Sequence, residues 1–226
     1  MKDFLETIQG PLGPFVIPAT PENTRDHAKW ICEMVWAGEY DAPGLPNDIL
    51  SAIDIGSHCG AFAVWAAAKW PTLREIHCYD PNVYACDMLR ENVRDRSSLM
   101  DVAVVDGQVP TSIQNVAVTS DPFPRFACSW DWGSAKTHDV GPAEGSPCAA
   151  IHPRDLPAVD VLKCDGEGIE VDVLTHYQHW NGLKALLYEF HSLEHKAILA
   201  DMARAHGFRC LREENAATYG SSIWTR

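Results

Sequence analysis

Apolar positions along the chain follow two different periods. Ile49–Ile55, Glu75–Tyr79, Val159–Cys164 and Ala185–Phe190 are short apolar runs bounded by turn residues, the pattern of strands covered on both faces. Between them the period lengthens to that of a helix. Ala28, Ile31 and Val35 share one face of a helix starting at Thr24, with Gly38 where a C-terminal cap belongs. Gly60–Trp70 is apolar on nearly every face and stops at Pro71. Pro81–Arg94 turns Val83, Cys86, Leu89 and Val93 inward, with Pro81 at the first helical position. Glu167–Trp180 does the same with Ile169, Val173, Tyr177 and Trp180. Ser192 is a good N-cap for Leu193–His206, which Gly207 closes.

Strands alternating with helices predict an α/β protein with a parallel, doubly wound sheet. Phe208–Arg212 and Ser221–Thr225 add a closing hairpin, hence an antiparallel edge. Asp101–Val105 and Asn115–Thr119 read as short strands whose order in the sheet stays open. Residues 1–21, with Gly10, Pro11, Gly13, Pro14 and Pro18, read as an extended arm, and Asp41–Asp48 as a loop. The expected organisation is an N-terminal arm and helix over 1–48 and a core domain over 49–226. Ser120–Pro153 interrupts that domain as a long insertion, with five prolines around the aromatic patch Cys128–Trp132. A loop of this length is either functional or disordered.

Composition narrows the partners. At 226 residues and 46% hydrophobic content the chain can fill one core. A net charge of −13 disfavours nucleic acid and anionic membrane surfaces, while leaving room for a small substrate. MKDFLETIQG has no apolar leader, and the longest mainly apolar stretch, Gly60–Lys69, is too short for a membrane span. A soluble, cytoplasmic protein is the expectation. The eight cysteines form no C-x-x-C pair and no zinc spacing, and most lie in apolar segments, as reduced core thiols do.

In doubly wound sheets ligands sit beyond the carboxyl ends of the strands. Four corners of this chain fall there. The first, Asp54–Gly60, has the spacing D-x-G-x-x-x-G, with Gly56 and Gly60 clearing room for a cofactor against the backbone. It lacks the middle glycine of the dinucleotide fingerprint, and a plain strand–turn–helix also explains it. The second is Tyr79-Asp80-Pro81-Asn82, where Asp80 either accepts from a ribose diol or caps the following helix. The third is KCDGEGIE, residues 163–170, which gathers Lys163, Asp165, Glu167 and Glu170 at a strand end. Capping accounts for Asp165 and Glu167 singly, whereas the excess of charge suggests a substrate or a metal. The fourth is YEFHS, residues 188–192, with Glu189 inside an apolar run and His191 at its end, beside Asp165 and Glu167 if the strands are neighbours. A neutral His191 there suits a general base, and packing at a strand end is the plainer alternative.

Taken together, DIGSHCG (54–60), YDPN (79–82), NVAV (115–118), KCDGEGIE and YEFHS resemble the class I S-adenosylmethionine-dependent methyltransferases, and within them the FkbM family. GEYD (38–41) and HGF (206–208) extend the likeness over roughly residues 28–212. The resemblance implies a Rossmann-like, mostly parallel seven-stranded sheet, S-adenosyl-L-methionine as cofactor, and O-methylation of a hydroxyl on a sugar or other metabolite. It places Asp54, Gly56 and Gly60 at the methionine end, Ser57 and His58 among the cofactor-binding residues, Asp80 at the ribose with Asn82 close by, and Asn115 and Val116 beside the adenine. Two departures stand out: Asp80 replaces the more usual Glu, and Gly166 a more usual apolar residue.

The implied reaction is an in-line displacement that needs alignment and a base. His191 or Asp165 is the expected base, with Glu167 orienting the acceptor; a divalent metal on Asp165 and Glu167 is the other scheme. An NAD(P)-dependent oxidoreductase and a non-catalytic nucleoside-binding domain are the rival readings. Trp130 and Trp132 of the long insertion either stack on the acceptor or form the loop's own small core.

Overall fold

Glycine and proline at the start of the chain make a turn. In the computed structural model, which describes residues 5–19, 22–94, 111–114, 117–121, 125–126, 146–147, 149–214 and 218–226, β1 (Leu5–Gly10) and β2 (Gly13–Pro18) form an antiparallel hairpin. Gly13 takes φ +111° where the turn rejoins the strand. The expected extended arm is therefore a folded element. Its alternate residues Phe15 and Ile17 are fully buried. The amide of Asn92 locks it down, accepting from Val16 N–H at 2.6 Å and donating to Val16 C=O at 2.8 Å.

α1 (Glu22–Trp36) follows, then β3 (Ser51–Ile55), α2 (Ala61–Lys69), β4 (Glu75–Tyr79) and α3 (Val83–Arg94). Asn82, not Pro81, starts α3: its side-chain Oδ1 accepts from Tyr84 N–H at 3.0 Å as an N-cap does. β5 (Thr111–Gln114) pairs parallel to β4, just before the segment expected to be a strand. Of that segment, β6 (Ala117–Val118) pairs instead with β9 (Ala150–Ile151), apart from the main sheet. β7 (Arg125–Phe126) and β8 (Ser146–Pro147) form another short ladder within the insertion. The expected strand Asp101–Val105 and the patch Cys128–Trp132, with Trp130 and Trp132, lie outside the described residues.

β10 (Val161–Cys164) lies between β3 and β11 (Ala185–Phe190), parallel to both. α4 (Glu170–His176) is shorter at both ends than its periodicity suggests. The KCDGEGIE loop occupies its expected first turn, and Tyr177 leaves in extended conformation. Tyr177 and Trp180 keep their inward places from the connection that follows, where Trp180 opens a short 3-10 turn (Trp180–Gly182). α5 (Leu193–Ala205) is capped by Ser192, whose Oγ accepts from His195 N–H at 3.0 Å. β12 (Arg209–Glu213) and β13 (Gly220–Thr225) form the antiparallel hairpin.

The sheet runs β12-β13-β11-β10-β3-β4-β5: a mixed α/β, Rossmann-like arrangement, mostly parallel, with the C-terminal hairpin at one edge. One apolar cluster joins Phe15, Ile17, Ala28 and Cys32 to Phe62, Trp70 and Leu89. A second joins Val173, Leu174, Trp180, Leu199, Phe208 and Trp224. The N-terminal hairpin and α1 thus share a core with α2 and α3. No helix among the described residues is long and apolar enough to cross a membrane. The described cysteines are free thiols.

Candidate active site

The strand order reverses between β3 and β10. At that point a cavity of about 360 Å³ opens beyond the carboxyl ends of β3, β4, β10 and β11. All four corners reach it: Gly56, Ser57 and His58; Asp80 and Asn82; Asp165 and Glu167; Glu189 and His191. Asp54 and Gly60 are not on its wall. Asp54 is fully buried against Lys163, 3.0 Å from its Nζ. Gly60, with φ +92°, faces α3, where an added Cβ would stand 2.3 Å from Leu89 Cδ1. Asn115 and Val116 lie outside the described residues.

The turn after β3 is a backbone lock. Gly56 has φ +72°, and an added Cβ would lie 1.7 Å from the Asp165 carbonyl oxygen. Asp165 N–H in turn donates to Ile55 C=O at 3.1 Å. The glycine therefore admits the neighbouring loop as well as bordering the cavity. Ser57 Oγ donates to Asp54 C=O at 2.6 Å, and His58 takes an unusual φ of +47°. Asp80 holds this turn to the next strand: it accepts from His58 N–H and from Asn82 N–H, both at 2.8 Å. Burial pushes its pKa up despite these two donors. Both the ribose and the capping reading of Asp80 are thereby modified, because it braces two loops and also borders the cavity.

Lys163 sits under the site with its side chain 4% exposed. It donates to Ile55 C=O at 3.1 Å and Gly56 C=O at 2.8 Å, and lies 3.6 Å from Asp165. Burial alone would lower its pKa, but Asp54 and Asp165 beside it more than offset this and hold the ammonium charged.

Carboxylates crowd the acidic side. Burial, then the neighbouring Asp165, raises Glu39 to about 7. The same two causes raise Glu189 to about 8, and Glu189 hydrogen-bonds Asp165. Asp165 keeps a lowered pKa because Lys163, Glu189, His191 and Tyr40 outweigh its burial. Tyr40 Oη donates to it at 3.4 Å. His191 Nε2 lies 3.3 Å from Glu189 and 3.4 Å from Glu167, and its Nδ1 is 3.6 Å from Glu170. Burial works against the imidazolium, yet these carboxylates prevail and raise the pKa far above the ordinary histidine value. The surrounding carboxylates thus favour the protonated form of His191, against the neutral form expected of a base.

Glu167, at φ +60°, touches His191 as the sequence suggested. The group with metal-ligand spacing is different, however: Asp165, Glu170 and His191 offer ligand atoms within 4.8 Å of one another. In the sequence Glu39 and Tyr40 stand out only as part of a lead-in, and Glu170 has no role of its own. The signal for Glu170 is nonetheless there, as the fourth charge of K-x-D-x-E-G-x-E.

No family model matches the chain, and no curated protein does. Among solved structures, it is similar to the methyltransferase FkbM of Methylobacillus flagellatus KT, with 14% identity and TM-score 0.53; the match covers 83% of this chain and 46% of that one. It is also similar to a ribosomal protein L11 methylase of Lactobacillus delbrueckii subsp. bulgaricus (11% identity, TM-score 0.46, covering 91% and 80%). M. jannaschii TYW2, solved in complex with AdoMet, gives 9% identity and TM-score 0.43, covering 99% and 87%. At such identities the likeness concerns the fold alone, the mixed α/β Rossmann-like arrangement shared with that methyltransferase.

Proposed function

We propose that this chain is an S-adenosylmethionine-dependent O-methyltransferase acting on a hydroxyl of a sugar or other small metabolite. One observation carries the choice of cofactor. The cavity is bordered by Glu39, Asp80, Asp165, Glu167 and Glu189, and its only lysine or arginine among the described residues is Lys163. Lys163 is already committed to Asp54 and two carbonyls. A dinucleotide brings a pyrophosphate, which would meet these carboxylates, and the cations described beside them, Lys163 and His191, are already paired with acids. A sulfonium with an α-ammonium suits the same wall, so the oxidoreductase reading is set aside.

The donor supplies an electrophilic methyl group, and the chain's residues align, shield and deprotonate. Gly56 and Ser57 form the floor, with Asp80 and Asn82 at the edge expected to meet the ribose. Asp80 is fixed by the His58 and Asn82 N–H groups and borders the cavity, where a carboxylate is the acceptor a ribose diol needs. Asp165 and Glu189 share a hydrogen bond and both border the cavity, so this pair is assigned to accept the proton of the acceptor hydroxyl. Charged His191 fixes Glu167 and Glu189 in place.

Calorimetry with S-adenosylhomocysteine and with NAD is the first test. Binding of the former alone is expected, and binding of NAD alone overturns the reading. Methyl transfer from labelled donor to a panel of alcohols then separates an enzyme from a non-catalytic binding domain. Asp165→Ala is expected to abolish transfer in a folded protein; full activity in this variant would remove the assigned base.

A further inference from the structure

We propose that Asp165, Glu170 and His191 form a binding site for one divalent first-row cation, of the Mn2+ class, at the inner end of the cavity. Two carboxylates and one imidazole are a donor set for such ions. Their ligand atoms lie within 4.8 Å of one another. Glu170 is the decisive member. Its side chain is fully buried, at the start of α4. One of its carboxylate oxygens is structural, since Oε1 accepts from Gly166 N–H at 2.8 Å and Gly168 N–H at 3.2 Å. These two bonds hold the group still and point Oε2 at His191. Neither Glu170 Oε2 nor His191 Nδ1 has a hydrogen-bond partner among the described residues.

The distance between them is 3.6 Å. That is long for a hydrogen bond, but two ligands each about 2.1 Å from one ion stand roughly 3.0–3.5 Å apart at octahedral to tetrahedral angles. A buried carboxylate oxygen and a buried ring nitrogen facing each other just beyond this range need only a small inward shift to become co-ligands. The other ring nitrogen completes the pattern. His191 Nε2 faces Glu189 and Glu167 at 3.3 and 3.4 Å, the outer carboxylates that orient a ligating imidazole. A ligating imidazole is neutral, so the ion displaces the proton from Nδ1. This assignment differs from the metal scheme read in the sequence: Glu170 and His191 are ligands with Asp165, and Glu167 supports the ring.

An ion there would bind the acceptor hydroxyl and lower its pKa, leaving Glu189, which is not among the three ligands, to receive the proton from the activated oxygen. This role rests on the methyltransferase reading; occupancy of the site does not. The test therefore measures binding with Mn2+ alone. Chelator-treated protein is titrated with Mn2+ and the free ion is followed by electron paramagnetic resonance. One ion per chain is expected, with spin-echo modulation from a directly bound imidazole nitrogen. Glu170→Gln retains an oxygen for the two backbone N–H groups and should fold; binding is expected to weaken about 100-fold or more. Glu167→Gln should weaken it about tenfold. Glu33→Gln, an exposed acid on α1, controls for loose attraction to a chain of net charge −13 and should change nothing. Absence of stoichiometric binding at millimolar Mn2+, or bound Mn2+ without nitrogen modulation, overturns the site. Either result leaves the cofactor test untouched, so the two readings fail separately.

Discussion

The turn after β3 and the loop after β10 lie against each other, and they solve different problems. In the turn, the glycines, the serine hydroxyl and the backbone find partners within the protein. Gly56 makes room for the Asp165 carbonyl, Gly60 for Leu89, Ser57 bonds the Asp54 carbonyl, and the His58 N–H finds Asp80. In the loop, partners run short on the positive side. Asp165, Glu167, Glu170 and Glu189 share His191 and part of Lys163. Glycines whose place the fold explains are weak evidence for a ligand, however familiar their spacing. Charge that the fold gathers and leaves partly unanswered is stronger evidence.

The sharpest way to break this contrast is to disturb the lock. Gly56→Ala forces a Cβ to 1.7 Å from a backbone oxygen at φ +72°, where no flexible side chain can yield. A loss of about 3–5 kcal/mol is expected in urea denaturation, combining overpacking with left-handed strain. A loss below about 1 kcal/mol would mean that the two loops are not locked. Next comes the ion pair beneath them. Lys163→Met leaves Asp54 buried without its cation and should cost about 3–5 kcal/mol. Adding Asp54→Asn to it should recover part of that loss; an additive double variant would deny the coupling. Gly60→Ala belongs lower, at about 1–3 kcal/mol, because the clash is with the tip of Leu89. Leu89→Ala in the same chain should cancel the steric part.

The same contrast explains what could be read in the sequence. β4 and β11 were visible residue for residue, because apolar runs bounded by turn residues have one good use between two helical layers. The hairpin β1–β2 was not. Its glycines and prolines signal a turn or an extended arm equally, and the decision lies with Phe15, Ile17 and Asn92, which act across long sequence separation. Helix α4 falls short of its pattern for a related reason: Tyr177 and Trp180 are buried with helical spacing but outside the helix. In the site, residue types at strand ends were legible. Their roles were not, because a role depends on which atom faces which. Only the fold shows that Asp54 is turned to Lys163, that Glu170 is pinned by two N–H groups, and that His191 is surrounded by carboxylates.

Backbone strain offers the smallest effect and the finest probe. Glu167 holds φ +60° at the rim of the cavity, a conformation that costs an L-residue about 1–2 kcal/mol relative to glycine. Glycine loses more entropy on folding, by about 0.5–1 kcal/mol, which takes back part of that gain. Comparing Glu167→Gly with Glu167→Ala removes the carboxylate in both and leaves the backbone term. The glycine variant should be the more stable by about 0.5–1 kcal/mol in urea denaturation. At Thr175, exposed within α4, the same comparison should reverse, with alanine ahead by about 1 kcal/mol. If alanine equals or exceeds glycine at position 167, the loop relaxes freely once its carboxylate is gone. The contacts to His191 alone would then hold Glu167 at the cavity, and the loop backbone would not be a fixed frame for it.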